Sequence, residues 1–181
     1  GLSAGFELHS LVSGSGASAS IARFAADVPG PQLSFGKSRS GTLTPGGIVQ
    51  NSDPLGEINF CGDDGTDIHS SGAKIACHVD GTPGANAMPG RLVLSTTAAG
   101  ASTPSARMTI NSAGHVGIGT GLPSSALEIN SAAGTPPFIA KLNNSEVARI
   151  DWGGKLLVGS STGSATGSHQ DVLIKPKTQF H

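Results

Sequence analysis

The stretch Arg107-Met108-Thr109-Ile110-Asn111-Ser112-Ala113-Gly114-His115-Val116-Gly117-Ile118-Gly119 predicts a β-hairpin. Apolar residues alternate with polar or small ones on both sides of the segment 111–114, whose Asn and Gly favour a turn. Alternation of this kind places the apolar side chains of both strands on one face. We expect a positive φ at Gly114, because a turn of this length needs a left-handed residue where the second strand begins.

The pattern returns in the segment 150–159, Ile150-Asp151-Trp152-Gly153-Gly154-Lys155-Leu156-Leu157-Val158-Gly159. Asn111 corresponds to Asp151 and Gly114 to Gly154 without a gap, which indicates a repeated structural module. Gly154 is therefore also predicted to have a positive φ. Leu157 takes the place of Gly117 and adds an apolar contact on the opposite face. The apolar residues expected in an interior shared with neighbouring chains are Ile110, Val116, Ile118, Ile150, Leu156 and Val158.

The composition argues against an ordinary enzyme core. Aromatic residues make up 4% of the 181 residues, Tyr is absent, and there are 27 glycines. Charged residues make up 13%, so the chain lacks both the large side chains of a thick monomeric core and the charge that solvates a disordered one. We expect a β-rich protein that completes its core against copies of itself.

Charge and hydropathy exclude several partners. The net charge of −1 gives no electrostatic footprint for nucleic acid or for an anionic membrane. No apolar run is long enough to cross a bilayer, and no basic segment followed by an apolar one suggests a signal peptide. Neither nucleic acid nor a membrane is therefore an expected partner.

Further strands are predicted where apolar residues alternate between turns rich in Gly and Pro. They are predicted at residues 6–8, 21–24, 32–36, 48–49, 55–61, 73–79, 91–97, 127–129, 139–142 and 171–174. No segment has a helical period, so the predicted fold is all-β, built from short antiparallel strands.

Three modules are predicted along the chain. Residues 1–40 form an N-terminal β-module for a shaft or for attachment. Residues 41–125 form a central β-sandwich-like knob that includes the hairpin at 107–119, and residues 126–181 form a C-terminal β-hairpin module that repeats the first. Ser- and Gly-rich linkers at 13–20 and 160–168 allow the modules to change their angles.

Several short motifs resemble the fibre and tail structural proteins of tailed bacteriophages, particularly phages of cyanobacteria and marine bacteria. They are LGEINF at 55–60, DGT at 64–66, AKI at 73–75, VDGTPG at 79–84, MPGRLVLSTT at 88–97 and the hairpin at 107–119. The resemblance lies in the number and order of these motifs, and it covers residues 20–130 best. It implies an intertwined β-structured homotrimer. Many such proteins end in a self-cleaving intramolecular chaperone with a catalytic serine, and nothing in this sequence resembles that chaperone.

Candidate sites for metals and catalysis are weak. Asp63, Asp64 and Asp67 form a carboxylate cluster that suggests calcium, but the spacing does not fit an EF-hand, and a turn that uses Asp and Gly for backbone reasons is the preferred interpretation. No serine lies in a nucleophile elbow. The histidines have no metal-ligand spacing, although a trimer would bring three copies of one histidine to its axis; they are His9, His69, His78, His115, His169 and His181. No catalytic, metal or cofactor site is predicted.

Two cysteines and one tryptophan complete the candidates. Cys61 and Cys77 lie in separate predicted strands and are expected to be reduced, buried thiols facing inward with Ile75 and Val79, with a cross-strand disulfide as the alternative. Trp152 lies in the turn of the second hairpin. Packing against a neighbouring subunit is its preferred role, and contact with a ligand is the alternative.

The resemblance and the composition together predict a non-enzymatic virion protein, a trimeric fibre, knob or tail-tip component. Its partners would be copies of itself, other virion structural proteins and a glycan on the host-cell surface. One alternative is a glycan-binding receptor-recognition module. A polysaccharide depolymerase ranks third, because the chain is short and poor in acids and aromatics.

Overall fold

The computed structural model describes residues 20–24, 26, 28–42 and 46–158, and these contain nine β-strands and no helix. The all-β prediction is confirmed for this part of the chain. By its contacts the chain divides into two units, Gly1–Gly36 and Lys37–His181, and the nine strands lie in the second. They are β1 (Pro54–Gly62), β2 (Ser70–Val79), β3 (Gly90–Thr96), β4 (Ser105–Ile110), β5 (Val116–Ile118), β6 (Leu127–Ile129), β7 (Phe138–Leu142), β8 (Ser145–Ile150) and β9 (Leu156–Val158).

The strands form two sheets. Six strands pair in the order β1-β2-β3-β4-β5-β6, and three pair in the order β7-β8-β9. All neighbours are antiparallel except β5 and β6, which are parallel. A parallel pair requires the chain to return from one end of the sheet to the other, and residues 119–126 make this crossing. The sheet therefore continues past residue 125, across the predicted boundary between the second and third modules.

One face of the six-stranded sheet carries its large apolar side chains, and we call it the apolar face. Cross-strand partners lie on the same side of a sheet. The register therefore aligns two rows along this face. The first row contains Ile58, Ile75, Leu94, Met108, Ile118 and Ile129, one from each strand, and the second contains Cys77, Leu92, Ile110, Val116 and Leu127.

The opposite face carries small side chains, and most of the burial within one chain is found there. Ala76, Thr109 and Gly117 lie on this small-residue face and are buried. A Cβ on Gly117 would lie 2.7 Å from the Thr120 carbonyl oxygen and 3.3 Å from Cβ of Pro123. Small side chains thus let the crossing segment approach the sheet backbone closely. On the apolar face, Val79 at the end of β2 is fully buried as well.

The two hairpins have the same turn. Asn111 N–H donates to the His115 carbonyl oxygen at 3.0 Å, and Gly114 N–H donates to the Asn111 carbonyl oxygen at 2.9 Å. The equivalent bonds, from Asp151 N–H to the Lys155 carbonyl oxygen and from Gly154 N–H to the Asp151 carbonyl oxygen, measure 2.9 and 3.0 Å.

The side chain at the first turn position has the same role in both copies. Oδ1 of Asn111 accepts from the N–H groups of Ala113 and His115, and Oδ1 of Asp151 accepts from those of Gly153 and Lys155. The predicted positive φ is confirmed at both glycines, with 80° at Gly114 and 82° at Gly154.

The predicted interior position of the hairpin side chains is not found within a single chain. Ile118 is 43% exposed and Val158 is 51% exposed. The strands contact mainly the hydrogen-bonded neighbours of their own sheet, so among the described residues no second sheet covers the apolar face. The described chain therefore has single-layer sheets in place of the predicted sandwich. An interior shared with other chains stays a prediction.

Leu157 and Gly117 occupy equivalent positions in the two hairpins but differ in burial. Gly117 is buried beneath the crossing segment, whereas Leu157 is 40% exposed. The extra apolar side chain is present on that face, but the described part of the chain does not cover it.

Some predicted strands are wrong. Residues 21–24, 32–36 and 48–49 are described and form no strand. Phe24 and Leu33 are exposed in these segments. Although apolar residues alternate there, no neighbouring strand of the described chain pairs with these segments. The strands predicted at 6–8 and 171–174, and the linkers at 13–20 and 160–168 apart from Ser20, lie outside the described residues.

Candidate functional site

The apolar face is the first candidate site, because its large side chains remain accessible. Ile58 is 43% exposed and Leu127 is 59% exposed, and no residue in the two rows is charged. With strands about 4.8 Å apart and same-face rows about 6.8 Å apart, the face covers roughly 400 Å². Exposed apolar patches of this size commonly mark interaction sites.

The three-stranded sheet repeats this feature on a smaller scale. Phe138, Ile150 and Leu156 are cross-strand partners in one row, and all three are exposed. The Ile150–Leu156 pair corresponds to the Ile110–Val116 pair of the first hairpin. Each copy of the module therefore presents an uncovered apolar row beside its turn.

A second candidate site is a cavity of about 490 Å³ on the small-residue face, which we call the polar cavity. It lies between the turn at Asn51 and Ser52 and the crossing segment at Gly121 and Leu122. The other residues that line it are His78, Asp80, Arg91, Val93, Ala106 and Thr109.

An ion pair forms one wall of the polar cavity. Arg91 Nη1 lies 3.0 Å from Asp80 Oδ1, and both side chains are largely buried. Asp80 Oδ2 accepts from Ser112 N–H at 2.8 Å, which ties the first hairpin turn to the end of β2. The Ser112 N–H and the Arg91 guanidinium lower the pKa of Asp80 against the opposing effect of its partial burial, so the carboxylate is charged at neutral pH.

The carboxylate cluster at 63–67 organises its own loop. Asp63 Oδ1 accepts from Gly65 N–H, and Asp64 Oδ1 accepts from Thr66 N–H, both at 2.8 Å. Asp64 Oδ2 also accepts from the Ser70 hydroxyl at 2.6 Å. These bonds fit the turn interpretation of the sequence. Among the described residues, no three His, Cys, Asp or Glu side chains approach one another closely enough to hold a metal ion.

The hydroxyl of Ser70 and the backbone N–H groups of Thr66 and Asp67 lower the pKa of Asp64 to about 2. A charged acceptor binds these donors more strongly than a protonated carboxyl does. The loop geometry is therefore linked to ionisation of one side chain.

The two cysteines do not form a disulfide with each other. Cys61 lies opposite Ser71 near one end of the β1–β2 pair, and Cys77 lies opposite Gly56 near the other. Cys77 shares the apolar face with Ile75, as predicted, and is partly buried. Cys61 is exposed, so the prediction of a buried thiol is wrong there, since Cys61 lies at the end of the sheet where no element covers it.

Trp152 and the histidines take separate positions. Trp152 lies in the turn of the second hairpin, as predicted, and is 76% exposed. Of the six histidines, His9, His169 and His181 lie outside the described residues. His115 Nδ1 lies 3.3 Å from the Pro123 carbonyl oxygen, and His78 lies directly opposite Arg91 in the sheet. Packing of Trp152 against a neighbouring subunit, and the alternative contact with a ligand, both stay predictions.

The polar cavity is not predictable from the sequence. Arg91, Asp80 and Thr109 come from separate parts of the chain and meet only through the sheet register. The one local signal was a threonine between Met108 and Ile110, at a position where the hairpin pattern allows any small polar residue.

Compared with known proteins, the sequence matches no family model and no curated protein. None of the described residues belongs to a helix that has the length and apolar character needed to span a membrane.

Proposed function

We propose that this chain is a virion structural protein, a trimeric fibre, knob or tail-tip component of a tailed phage, without enzymatic activity and without a cofactor. Its first partner is itself, and other virion structural proteins attach the trimer to the particle. The observation that carries this proposal is the apolar face, which one chain leaves exposed to solvent.

A copy of the same chain is the occupant that suits this face. The two rows contain no charge that would select an oppositely charged partner. Symmetric assemblies join surfaces that are complementary to copies of themselves, and aliphatic rows one residue per strand can interdigitate with equivalent rows. The small sheet presents an equivalent row in the second hairpin, so each hairpin module offers a surface of the same kind.

The area of the face does not choose between two copies and three. Two facing sheets would bury roughly 800 Å² in one contact, and three sheets around one axis would bury roughly 1,200 Å² divided among three contacts. The proposal of three copies rests on the resemblance to phage fibre proteins. Three sheets facing an axis also supply the second layer that the single chain lacks.

A receptor-recognition module is the second candidate function, and the polar cavity is the observation that favours it. If the apolar face lies toward the axis, the small-residue face lies outward, where a glycan on the host-cell surface can reach it. The two functions are compatible in one protein.

The proposal is tested by the mass of the protein in solution. Light scattering at micromolar concentration should give about three times the chain mass of 17.9 kDa. Ile58→Glu and Ile118→Glu should each reduce the mass to that of one chain, because a buried glutamate at the contact is costly. Both side chains are exposed in the single chain, so the substitutions leave its own packing intact.

Asn59→Glu is the matched control. Asn59 follows Ile58 on β1, is also exposed, and points to the other face. It should remain trimeric. A wild-type mass near 17.9 kDa, or equal dissociation by Ile58→Glu and Asn59→Glu, would contradict the proposal.

A further inference from the structure

The polar cavity contains an unsatisfied buried hydroxyl. Thr109 is 1% exposed, and its Oγ1 has no hydrogen-bond partner in the described part of the chain. Buried polar atoms are nearly always paired, so an orphaned hydroxyl that lines a cavity points to a group supplied from outside.

Arg91 offers further donors to the cavity. Its contacts with Asp80 Oδ1 and with the Val79 carbonyl oxygen, at 3.0 and 3.4 Å, both use Nη1. These bonds orient the guanidinium and leave Nε and Nη2 for another acceptor. Asp80 is held in turn by Ser112, so the positive group has a fixed position.

The turn on the other side of the cavity is also fixed. Ser52 N–H donates to the Val79 carbonyl oxygen at 2.9 Å, and Asn51 Oδ1 accepts from Gly81 N–H at 2.9 Å. Because the amide oxygen of Asn51 is used, its NH₂ group is the part that remains for a ligand. Ser52 lines the same wall and carries a hydroxyl.

The remaining polar groups are therefore mainly hydrogen-bond donors. Besides the Asp80 carboxylate and the His78 ring, the polar groups are a guanidinium, an amide NH₂ and two hydroxyls, which together select a ligand that is rich in acceptors. The Asp80 charge already faces Arg91, which disfavours a dianion such as phosphate. The free Nε and Nη2 of Arg91 form one edge of the guanidinium, and such a pair of donors suits a single carboxylate. Val93 and Leu122 also line the cavity and offer apolar contacts to the carbon atoms of a ring.

We propose that the polar cavity binds one carboxylate-bearing sugar unit, with the carboxylate on Arg91 and ring hydroxyls on Thr109, Ser52 and Asn51. A volume of about 490 Å³ is within the usual range for small-ligand sites. The inference rests on the proposed function only for the source of the sugar, a polysaccharide on the host-cell surface. The cavity itself is complete within one chain.

The test is an NMR titration of the full chain with D-glucuronate, N-acetylneuraminate, D-glucose and acetate. At least one of the two acidic sugars should bind about tenfold more tightly than glucose, which lacks the carboxylate, and than acetate, which lacks the ring. The largest changes in NMR chemical shift should occur at residues that line the polar cavity. Equal binding of glucose and both acidic sugars, or no change with any probe, would overturn the proposal.

Variants separate the contacts. Arg91→Gln should remove the preference for the acidic sugar over glucose, and Thr109→Val, which keeps the shape and removes the hydroxyl, should weaken both sugars severalfold. Arg107→Gln is the control, because Arg107 lies on β4 outside the cavity and donates to Thr96. Its affinities should equal those of the wild type. If Thr109→Val changes stability and leaves sugar affinity unchanged, the hydroxyl is only structural and the proposal fails.

The same titration on Ile58→Glu distinguishes this inference from the proposed function. Binding of the acidic sugar by the single-chain Ile58→Glu variant would support the cavity independently of the assembly, and binding by a wild-type protein that is itself a monomer would contradict the assembly alone. A trimer that binds none of the probes would leave the assembly standing and overturn the cavity.

Discussion

Asp64 shows how one ionised side chain can hold a loop of this protein. It accepts from the Thr66 N–H and from the Ser70 hydroxyl, and Asp67 N–H is a longer third donor at 3.4 Å. The folded pKa, about 2, lies below the ordinary value of 3.8. A carboxyl with a lowered pKa stabilises the folded state above its ordinary pKa, and that contribution is lost as the pH falls through the folded pKa.

The loop at 63–70 should therefore keep its structure down to about pH 3 and lose it as the pH approaches 2. The amide NMR shifts of Thr66 and Ser70, followed against pH, should have their midpoint near the pKa of Asp64, about 2. In Asp64→Asn this midpoint should vanish, and in the control Asp63→Asn it should stay. A wild-type midpoint near pH 4 would contradict the hydrogen-bonded arrangement.

Gly117 shows what sequence alone could not supply at the scale of one residue. In the hairpin pattern it stands at a polar or small position, where many residues would fit. The structure gives the physical reason for glycine, since a Cβ there would contact the Thr120 carbonyl oxygen. That contact arises from the parallel pairing of β5 and β6, and alternation within a strand says nothing about which strand becomes its neighbour.

At the scale of the element, the hairpin was predictable because its determinants are local. The turn depends on a side-chain oxygen at Asn111 or Asp151 and on a left-handed glycine three residues later. Both lie within five residues, so their spacing in the sequence carries the information. The strands at 55–61, 73–79 and 91–97 were predicted for the same reason and are confirmed with slightly different ends.

Alanine at Gly114 or at Gly154 should reduce the free energy of unfolding by about 1 kcal/mol, because an L-residue is strained at positive φ. A Cβ at either position would meet no atom within 4 Å, so backbone strain is the only cost and the two values should agree. Urea denaturation of the two variants and of the double variant measures this.

Gly62→Ala provides the comparison for these variants. Gly62 also has open space around it, and its φ is not in the left-handed region. Its replacement should change stability by less than either turn variant. Equal losses at all three glycines would show that the cost comes from something other than positive φ.

At the scale of the whole molecule, the chain differs from its sequence-based prediction in the number of layers. Alternation identified one apolar face per strand, and that face exists. The element that packs on this face cannot be read from alternation, because it comes from a distant part of the sequence or from another chain. Within the described chain, the small-residue face is covered instead. The polar cavity was missed for a related reason, since it needs Arg91 and Thr109 to be placed on the same side of neighbouring strands.

The exposed apolar rows also determine whether the stability of this protein depends on its concentration. If neighbouring chains cover Ile58, Ile75 and their row, folding and association form one reaction, and mass action governs it. The unfolding temperature should then rise with protein concentration, whereas that of Ile58→Glu should be lower and independent of it. Calorimetry over a hundredfold range of concentration measures both, and a wild-type midpoint that does not change would mean that each chain folds alone. If folding and association are one reaction, a newly made chain becomes stable only when it binds its copies.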